Sequence, residues 1–465
     1  MIRSISFLLL IACRVCCAAP DPTLPMATAA HSRWFEDAKF GMFIHFGLYS
    51  IPAGVWDGRP VGRNGYAEWI RYQHDWPQSG GIDVDEYNAL AKDFNPVGFD
   101  ADAWIEEAKR AGMRYLLITA KHHDGFALWD SQVCDFNVVD ASPFGRDILR
   151  ELADACRRNG IRLGFYYSHW QDWHHPGGGR PPWPEIPEDP QIEQPSDAEF
   201  QRYWDEKCLP QVRELLVGYE PDFFWFDSWG RQRSPFQAML TKPRLQSLIG
   251  TVRELRPQCL INSRIGTDDG VDFLSMSDNY FPPQGFDRPW ETSGTLNHSW
   301  GYHRLDYHWK PTSQLIRWLV DNASRGGNYQ LNVGPTETGV FQAPAIRRLR
   351  EIGAWMDING EAIHGTRRAP FDEPEWGRMT WREGKDGEAS TLYLLVYDRP
   401  ESSDLRIHLP GMKPVQARMI ETDEILACTK LMDSGDWISV RLPQHLPDER
   451  VSVVALELES DPARR

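Results

Sequence analysis

Residues 100–126 are DADAWIEEAKRAGMRYLLITAKHHDGF, and this stretch decides the fold class that the sequence predicts. Asp100 is a good helix N-cap, apolar residues follow it at helical spacing, and Gly112 is a typical stop signal. Tyr115–Lys121 is then a short apolar run of the kind that forms a strand, and polar residues follow directly. The stretch therefore predicts one helix followed by one strand.

The same strand and helix rhythm runs from about residue 40 to about residue 360. The other predicted strands are Phe40–Phe46, Arg162–Ser168, Asp222–Asp227, Cys259–Ser263, Phe273–Asp278 and Tyr329–Val333. Apolar strands separated by helices indicate a parallel sheet covered by helices. Seven or eight such units in about 320 residues favour a (β/α)8 TIM-like barrel over an open sheet. No glycine-rich phosphate motif follows the first strand, which also disfavours a doubly wound sheet.

The pattern changes near residue 367, where short alternating runs separated by turn residues begin. These runs are Ser390–Tyr397, Asp404–His408, Val415–Ile420, Trp437–Leu442 and Val451–Leu456. Such runs are typical of an antiparallel β-sandwich. We therefore expect a catalytic barrel over residues 30–366 and a C-terminal β-sandwich domain over residues 367–465.

The N-terminus predicts export. A positive start, a short apolar stretch and Ala18-Ala19-Pro20 describe a signal peptide over residues 1–19, so the protein is expected to be secreted or periplasmic. Leu10-Ile11-Ala12-Cys13 also resembles a lipoprotein cleavage box, which would leave Cys13 lipidated. No membrane span is predicted. The net charge of −16 argues against a nucleic-acid partner.

Polar residues cluster where the predicted strands end. Barrel enzymes bind substrate at this rim, because all parallel strands end there. The residues are His45, His122, His123, Asp124, Tyr166, Tyr167, Trp173, Asp227 and Arg264. Each one alone is as easily a cap or a core residue, but the set predicts an active site.

Asp227 is the sharpest of these positions. It emerges from the aromatic strand Phe223–Phe226, and a carboxylate in an apolar rim is unfavourable unless it is paired or functional. The alternative is a helix N-cap before Ser228-Trp229-Gly230.

The 20 Trp among 465 residues raise the hypothesis of a carbohydrate substrate, since large flat side chains stack on sugar rings. If that hypothesis holds, glycoside hydrolysis needs a second carboxyl group near Asp227. Glu291 is the preferred candidate, since it follows the sixth predicted strand and stands beside Trp290, which could raise its pKa as a general acid requires. Glu68 and Asp272 are rivals, and a solvated loop carboxylate is the alternative for Glu291.

The histidines could instead bind a metal ion. Adjacent histidines on a strand point to opposite faces, so His122 and His123 are not expected to share one ion. No CxxC pair with metal spacing occurs either, and the five cysteines beyond the signal are expected to be buried thiols with at most two bridges. The sequence therefore predicts no metal site.

Six blocks in this order resemble glycoside hydrolase family 29, the α-L-fucosidases. They are Lys39–Gly47 after Trp34-Phe35, Lys121–Phe126, Gly164–Ser168, Trp225-Phe226-Asp227, Trp290–Thr292 through Ser299–Tyr302, and Gly326–Asn328 with Leu331–Pro335. The resemblance covers most of the barrel, from Trp34 to Gly365.

The resemblance implies an exo-acting retaining α-L-fucosidase without a cofactor, with Asp227 as nucleophile and Glu291 as acid/base. It implies substrate-binding roles for His45, Glu68, Trp69, His122, His123, Tyr167 and Arg264, with the choice between Tyr166 and Tyr167 left open. Other relatives carry a Pro-Glu pair after the sixth strand, but this chain has Phe281-Pro282-Pro283-Gln284 there.

The predicted substrate is therefore a fucosylated oligosaccharide or glycoconjugate. Two alternatives stay open at this point: a retaining glycosidase for a related sugar such as an α-L-galactoside, and a catalytically silent sugar-binding protein. The Pro- and Gly-rich loop over residues 174–195 follows the third strand and is expected to shape the aglycone side.

Overall fold

The computed structural model describes residues 26–61, 65–73, 81–181, 193–228, 238–384, 388–431 and 435–460. The predicted signal peptide with Cys13, residues 182–192 of the predicted aglycone loop, and Trp229-Gly230 of the predicted capping alternative lie outside the described residues.

Eight parallel strands form the first sheet, which confirms the predicted (β/α)8 barrel. They are β1 Phe40–Ile44, β2 Tyr115–Lys121, β3 Arg162–Tyr167, β4 Phe223–Phe226, β5 Leu260–Ile261, β6 Leu274–Ser275, β7 Trp290–Thr295 and β8 Asn328–Val333. Their order in the sheet is β5-β4-β3-β2-β1-β8-β7-β6. A parallel bridge between Asn262 and Phe273 joins β5 to β6 and closes the ring.

Helices alternate with these strands. They are α1 Ala29–Ala38, α2 Ile70–Gln73, α3 Val84–Asn88, α4 Ala101–Arg110, α5 Ile148–Asn159, α6 Asp197–Tyr203, α7 Leu209–Tyr219, α8 Lys242–Leu255, α9 Thr312–Ser324 and α10 Ala343–Asn359. The Asp100 carboxylate accepts a hydrogen bond from the Ala103 N–H at 3.0 Å and caps α4. Ser196 and Glu199 form the predicted capping box of α6.

The two faces of each strand pack into different cores. Phe43 of β1 and Trp225 of β4 belong to a cluster inside the barrel, whereas Met42 and Ile44 belong to the larger cluster between the strands and the helices. This alternation follows from the two-residue period of a strand. It decides which residues of each strand face the interior, and therefore which side chains reach the rim.

Strand β7 is the one barrel strand that the sequence did not predict. Its residues, Trp-Glu-Thr-Ser-Gly-Thr, contain no apolar run. The inward residues are polar because they bond to other polar side chains inside the barrel, as Ser293 does to Gln330 of the neighbouring strand β8 at 2.9 Å. A polar interior hides the pattern by which a buried strand is normally recognised.

The C-terminal part is antiparallel, as predicted. Its strands are β9 Arg367–Arg368, β10 Gly377–Arg382, β11 Ser390–Val396, β12 Asp404–His408, β13 Met412–Met419, β14 Ile425–Leu426, β15 Cys428–Lys430, β16 Trp437–Arg441 and β17 Ser452–Ser460. They form a six-stranded sheet (β9-β10-β11-β17-β13-β14) and a three-stranded sheet (β12-β16-β15). Apolar side chains from both sheets share one core, so the sheets form a sandwich.

Within the described ranges, Cys134, Cys156, Cys208, Cys259 and Cys428 are all free thiols, in agreement with the prediction of at most two bridges. Cys134 and Cys428 are only half-buried, whereas the other three are buried as predicted. In the same ranges, every helix is too short or too polar to cross a bilayer.

Candidate active site

Asp227 lies at the carboxyl end of β4, at the centre of the polar rim. Arg264 Nη2 donates to its Oδ1 at 2.7 Å, and the Tyr166 hydroxyl donates to its Oδ2 at 2.9 Å. His123 Nε2 is 3.7 Å from the same Oδ2. Burial would raise the pKa of Asp227, but the Arg264 guanidinium and then His123 and Tyr166 hold that pKa below its ordinary value. The side chain is therefore an ionised, oriented carboxylate.

The backbone around Asp227 is fixed by the next strand. The Asn262 side chain accepts from the Phe226 N–H at 2.8 Å and donates to the Phe226 carbonyl at 3.0 Å. The short 3₁₀ turn Ser263–Ile265 follows at once and carries Arg264. The ends of β4 and β5 are thus locked together, which sets the distance between the carboxylate and its cation.

Four predicted side chains line one side of Asp227. His122 and His123 have ring centroids 4.3 Å apart, His45 is 5.7 Å from His122, and Trp69 is 4.8 Å from His123. Burial lowers the pKa of His45 to about 3 and that of His123 to about 4. At neutral pH these rings are uncharged, so each can donate and accept hydrogen bonds as sugar hydroxyls require.

The strand-alternation argument for His122 and His123 is wrong. Strand β2 ends at Lys121, so the two histidines lie beyond it and their rings pack against each other. In the part of the chain that the structure describes, no three His, Cys, Asp or Glu side chains are grouped so that they could hold a metal ion.

The predicted substrate contact of Tyr167 is corrected. Its ring faces the helices, where its hydroxyl donates to Gln211 at 2.8 Å. Tyr166 faces the interior and bonds to Asp227. The reason is the two-residue period of β3, which sends neighbouring side chains to opposite faces.

The loop position on which the predicted acid/base role of Glu291 rested is also corrected. Glu291 is the second residue of β7, not a loop residue, and four more residues follow before the strand ends. It is fully buried, and its Oε1 accepts from the Trp225 indole N–H at 2.6 Å and from the Ser275 hydroxyl at 2.8 Å. A proton donor must reach the leaving oxygen. Glu291 lies instead below the rim, inside the barrel.

The two rival carboxyl groups lie in different places. Glu68 is buried in the 3₁₀ segment Ala67–Trp69, its Oε2 accepts from the Gly301 N–H at 2.9 Å, and burial raises its pKa to about 7. Asp272 precedes β6 at the opposite end of the barrel, where Arg253 pairs with it at 2.6 Å and the Ile261 N–H bonds to it at 2.7 Å. Asp272 is therefore a structural residue, and Glu68 stays near the site.

Asp278 is a carboxyl group that the sequence reasoning missed. It follows β6, and Arg264 Nη1 donates to its Oδ1 while Nη2 of the same guanidinium holds Asp227. Its side chain is 37% exposed. The signal was present, because Phe273–Asp278 was predicted as a strand ending in an acidic residue, as the strand before Asp227 does.

The chain is similar to proteins of known family, both in sequence and in structure. Residues 21–361 match the family model described as alpha-L-fucosidase. The alpha-L-fucosidase of Dictyostelium discoideum is 30% identical over 411 residues, covering 83% of this chain and 82% of that protein.

Two solved structures are similar throughout. Alpha-L-fucosidase isoenzyme 1 from Paenibacillus thiaminolyticus has a TM-score of 0.78 at 36% identity and covers 92% of this chain and 99% of its own. A GH29 alpha-L-fucosidase from Bacteroides thetaiotaomicron, trapped as a covalent intermediate with 2-fluoro-fucosyl fluoride, has a TM-score of 0.80 at 29% identity and covers 95% and 98%.

Proposed function

Because the chain belongs to the α-L-fucosidase family, glycoside hydrolase family 29, we propose from the geometry of its rim which side chains carry the reaction. The chain is a retaining α-L-fucosidase that hydrolyses terminal fucose from fucosylated glycans. The covalent intermediate trapped in the Bacteroides thetaiotaomicron relative supports a double displacement.

Asp227 is the proposed nucleophile. The observation that carries this assignment is that Arg264 and Tyr166 each donate to a different oxygen of Asp227, which keeps the carboxylate ionised and oriented. One carboxylate oxygen forms an ester bond to the anomeric carbon while the bond to the glycosidic oxygen breaks. Water then attacks the same carbon, releasing fucose and restoring the free carboxylate.

Asp278 is the proposed acid/base. A single guanidinium holds it and Asp227, so the two carboxylates lie a few ångströms apart, as in retaining enzymes, where the separation is about 5–5.5 Å. Its partial exposure leaves space for the leaving group and then for water. In the first step it protonates the departing oxygen, and in the second it takes a proton from the attacking water. Glu68 is the second candidate, supported by its raised pKa.

The uncharged His45, His122 and His123 are proposed to bind sugar hydroxyls, and the half-buried Trp69 beside them to supply an apolar face. A carbohydrate ring presents hydroxyls along its edge and C–H groups on its faces, so this combination suits it. An α-L-galactoside adds one hydroxyl, which an apolar site rejects by only about 10²-fold. A panel of nitrophenyl glycosides measures this selectivity directly.

The test is azide rescue with an aryl α-L-fucoside. Asp227→Ala should lose turnover, and Asp278→Ala should lose about 10²–10⁴-fold and regain rate in azide, releasing fucosyl azide of retained configuration. Glu68→Ala and Glu291→Gln are assayed beside them. Normal turnover by Asp227→Ala overturns the nucleophile, and rescue of Glu68→Ala but not of Asp278→Ala transfers the acid/base role to Glu68.

We also propose that the protein is exported, on the strength of the signal-like residues 1–19. Intact mass of the protein from its native host distinguishes cleavage after Ala19 from a lipid-modified N-terminus at Cys13. A full-length chain retaining Met1 would contradict export by a cleaved signal.

A further inference from the structure

A single indole lies beneath the groups that hold the nucleophile. The Arg264 guanidinium carbon is 4.6 Å from the centroid of the Trp225 ring, and the Tyr166 ring stacks on Trp225 at 5.5 Å and 22°. Arg264 and Tyr166 are also the two donors to Asp227. The orientation of Trp225 therefore fixes both donors at once.

Glu291 fixes that indole. The Trp225 N–H donates to Glu291 Oε1 at 2.6 Å, and the Ser275 hydroxyl donates to the same oxygen at 2.8 Å. An indole N–H buried in a barrel needs an acceptor, because leaving it without one is unfavourable. Rotation of the ring away from Glu291 is therefore disfavoured.

The surroundings keep Glu291 out of the chemistry. It is fully buried, it lies below Trp225, and within the described ranges its Oε2 has no hydrogen-bond partner. Burial raises its pKa to about 8, so the group is a neutral carboxyl at neutral pH. A neutral acceptor binds the indole without placing a second negative charge near Asp227.

We propose that Glu291 is a positioning residue that orients Trp225 and, through it, the Arg264 and Tyr166 donors to Asp227. This inference rests on the proposed nucleophile. It predicts that Glu291 acts on the ionisation and orientation of Asp227 without touching the substrate.

The test compares two substitutions. Glu291→Gln keeps the acceptor and should retain kcat/KM within about twofold, whereas Glu291→Leu removes it and should lower kcat by about 10–100-fold, since small misplacements have effects of this size. In Glu291→Leu the acidic limb of kcat/KM should move to higher pH, because a displaced Arg264 no longer lowers the pKa of Asp227 as far. A general loss of packing would not move this limb.

A double-mutant cycle tests whether Glu291 acts on Asp227 through Trp225. In a Trp225→Phe background, which lacks the N–H, Glu291→Leu should cause no further loss. Ser293→Ala is the matched control, since Ser293 faces inward on the same strand but bonds to Gln330, and it should leave the pH profile unchanged.

Three outcomes overturn the inference. The first is that Glu291→Leu has a normal kcat and an unshifted acidic limb of kcat/KM. The second is that the losses in kcat of Trp225→Phe and Glu291→Leu add in the double mutant. The third is that Glu291→Gln is inactive and regains activity in azide. If Glu291→Leu does not fold, Trp225→Phe alone must show the same shift, and its absence overturns the inference. Failure of the proposed function is separate, because it would appear as turnover by Asp227→Ala.

Discussion

Tyr166 and Tyr167 are neighbours in sequence but differ in everything that matters for the site. Tyr166 bonds to Asp227 inside the barrel, and Tyr167 bonds to Gln211 among the helices. The family resemblance could not decide which of the two contacts the substrate. Neighbouring side chains of a strand point to opposite faces, and the sequence does not say which of them faces the barrel interior. Asp227, by contrast, was predictable, since it stands alone after four aromatic residues.

The two tyrosines give a paired prediction. Tyr166→Phe removes a donor to the nucleophile and should lower kcat/KM by about tenfold, the effect of losing about 1.4 kcal/mol of stabilisation in the transition state. Tyr167→Phe should leave kcat/KM unchanged and lower the free energy of unfolding by about 1 kcal/mol, since it removes one buried hydrogen bond. Steady-state kinetics and urea unfolding measure both effects, and a larger kinetic loss in Tyr167→Phe would contradict the assignment.

For strands and helices, one property of the sequence decided whether the prediction was right: the presence or absence of a clear local pattern. Strands with apolar runs, such as β2 and β4, were predicted to within a residue at each end, and the capping box of α6 was found from its spacing. Strand β7 was missed because its inward face carries Glu291 and Ser293, which bond within the interior. Treating β7 as a loop is also what placed Glu291 at the rim. An error about an element thus became an error about a catalytic role.

The buried carboxyl of β7 predicts a pH dependence of stability. The pKa of Glu291 rises from 4.5 to about 8 on folding, so between these values the folded chain holds a proton that the unfolded chain has lost. The free energy of unfolding should therefore fall as pH rises from about 5 to about 8, by up to about 1.4 kcal/mol per pH unit from this group. Below pH 4.5, where Glu291 is protonated in both the folded and the unfolded chain, its contribution to the free energy of unfolding is fully present.

Glu291→Gln cannot titrate, and it isolates this contribution. The difference in unfolding free energy, wild type minus Glu291→Gln, should decline steadily from pH 5 to pH 8 in urea titrations. Because all other titrating groups are common to both proteins, they cancel. Parallel curves would show that Glu291 is ionised in the folded chain.

At the scale of the whole molecule, the sandwich packs against the barrel through α9 and α10. The Trp355 indole N–H donates to the Val451 carbonyl at 2.8 Å, and the single proton of the Tyr397 hydroxyl is shared between the Arg317 carbonyl at 3.0 Å and the Asp321 carboxylate at 3.1 Å. Every side chain described around Asp227 comes from the barrel. The change of pattern near residue 367 predicted the two folds, but the contacts between them depend on side chains far apart in sequence, which no local pattern indicates.

Tyr397 tests whether this contact stabilises the molecule without shaping the site. Its ring lies under the Arg317 and Arg378 guanidinium groups at 4.9 and 5.4 Å, so Tyr397→Ala removes an aromatic side chain and the shared hydrogen bond of its hydroxyl from the contact. Because Tyr397 is partly buried, we expect a loss of about 2–3 kcal/mol in unfolding free energy, less than for a fully buried aromatic residue. At temperatures where the variant is folded, kcat/KM should stay within about twofold, because Arg264, Tyr166 and His123 hold Asp227 from within the barrel.

Trp437→Ala is the matched control. Trp437 is 40% exposed and stacks on His408 within the three-stranded sheet, so its loss should change the free energy of unfolding by no more than about 0.5 kcal/mol. Thermal unfolding and aryl-fucoside kinetics measured on the same samples decide the matter, since a folded Tyr397→Ala with reduced kcat/KM would mean that the sandwich supports the active site directly.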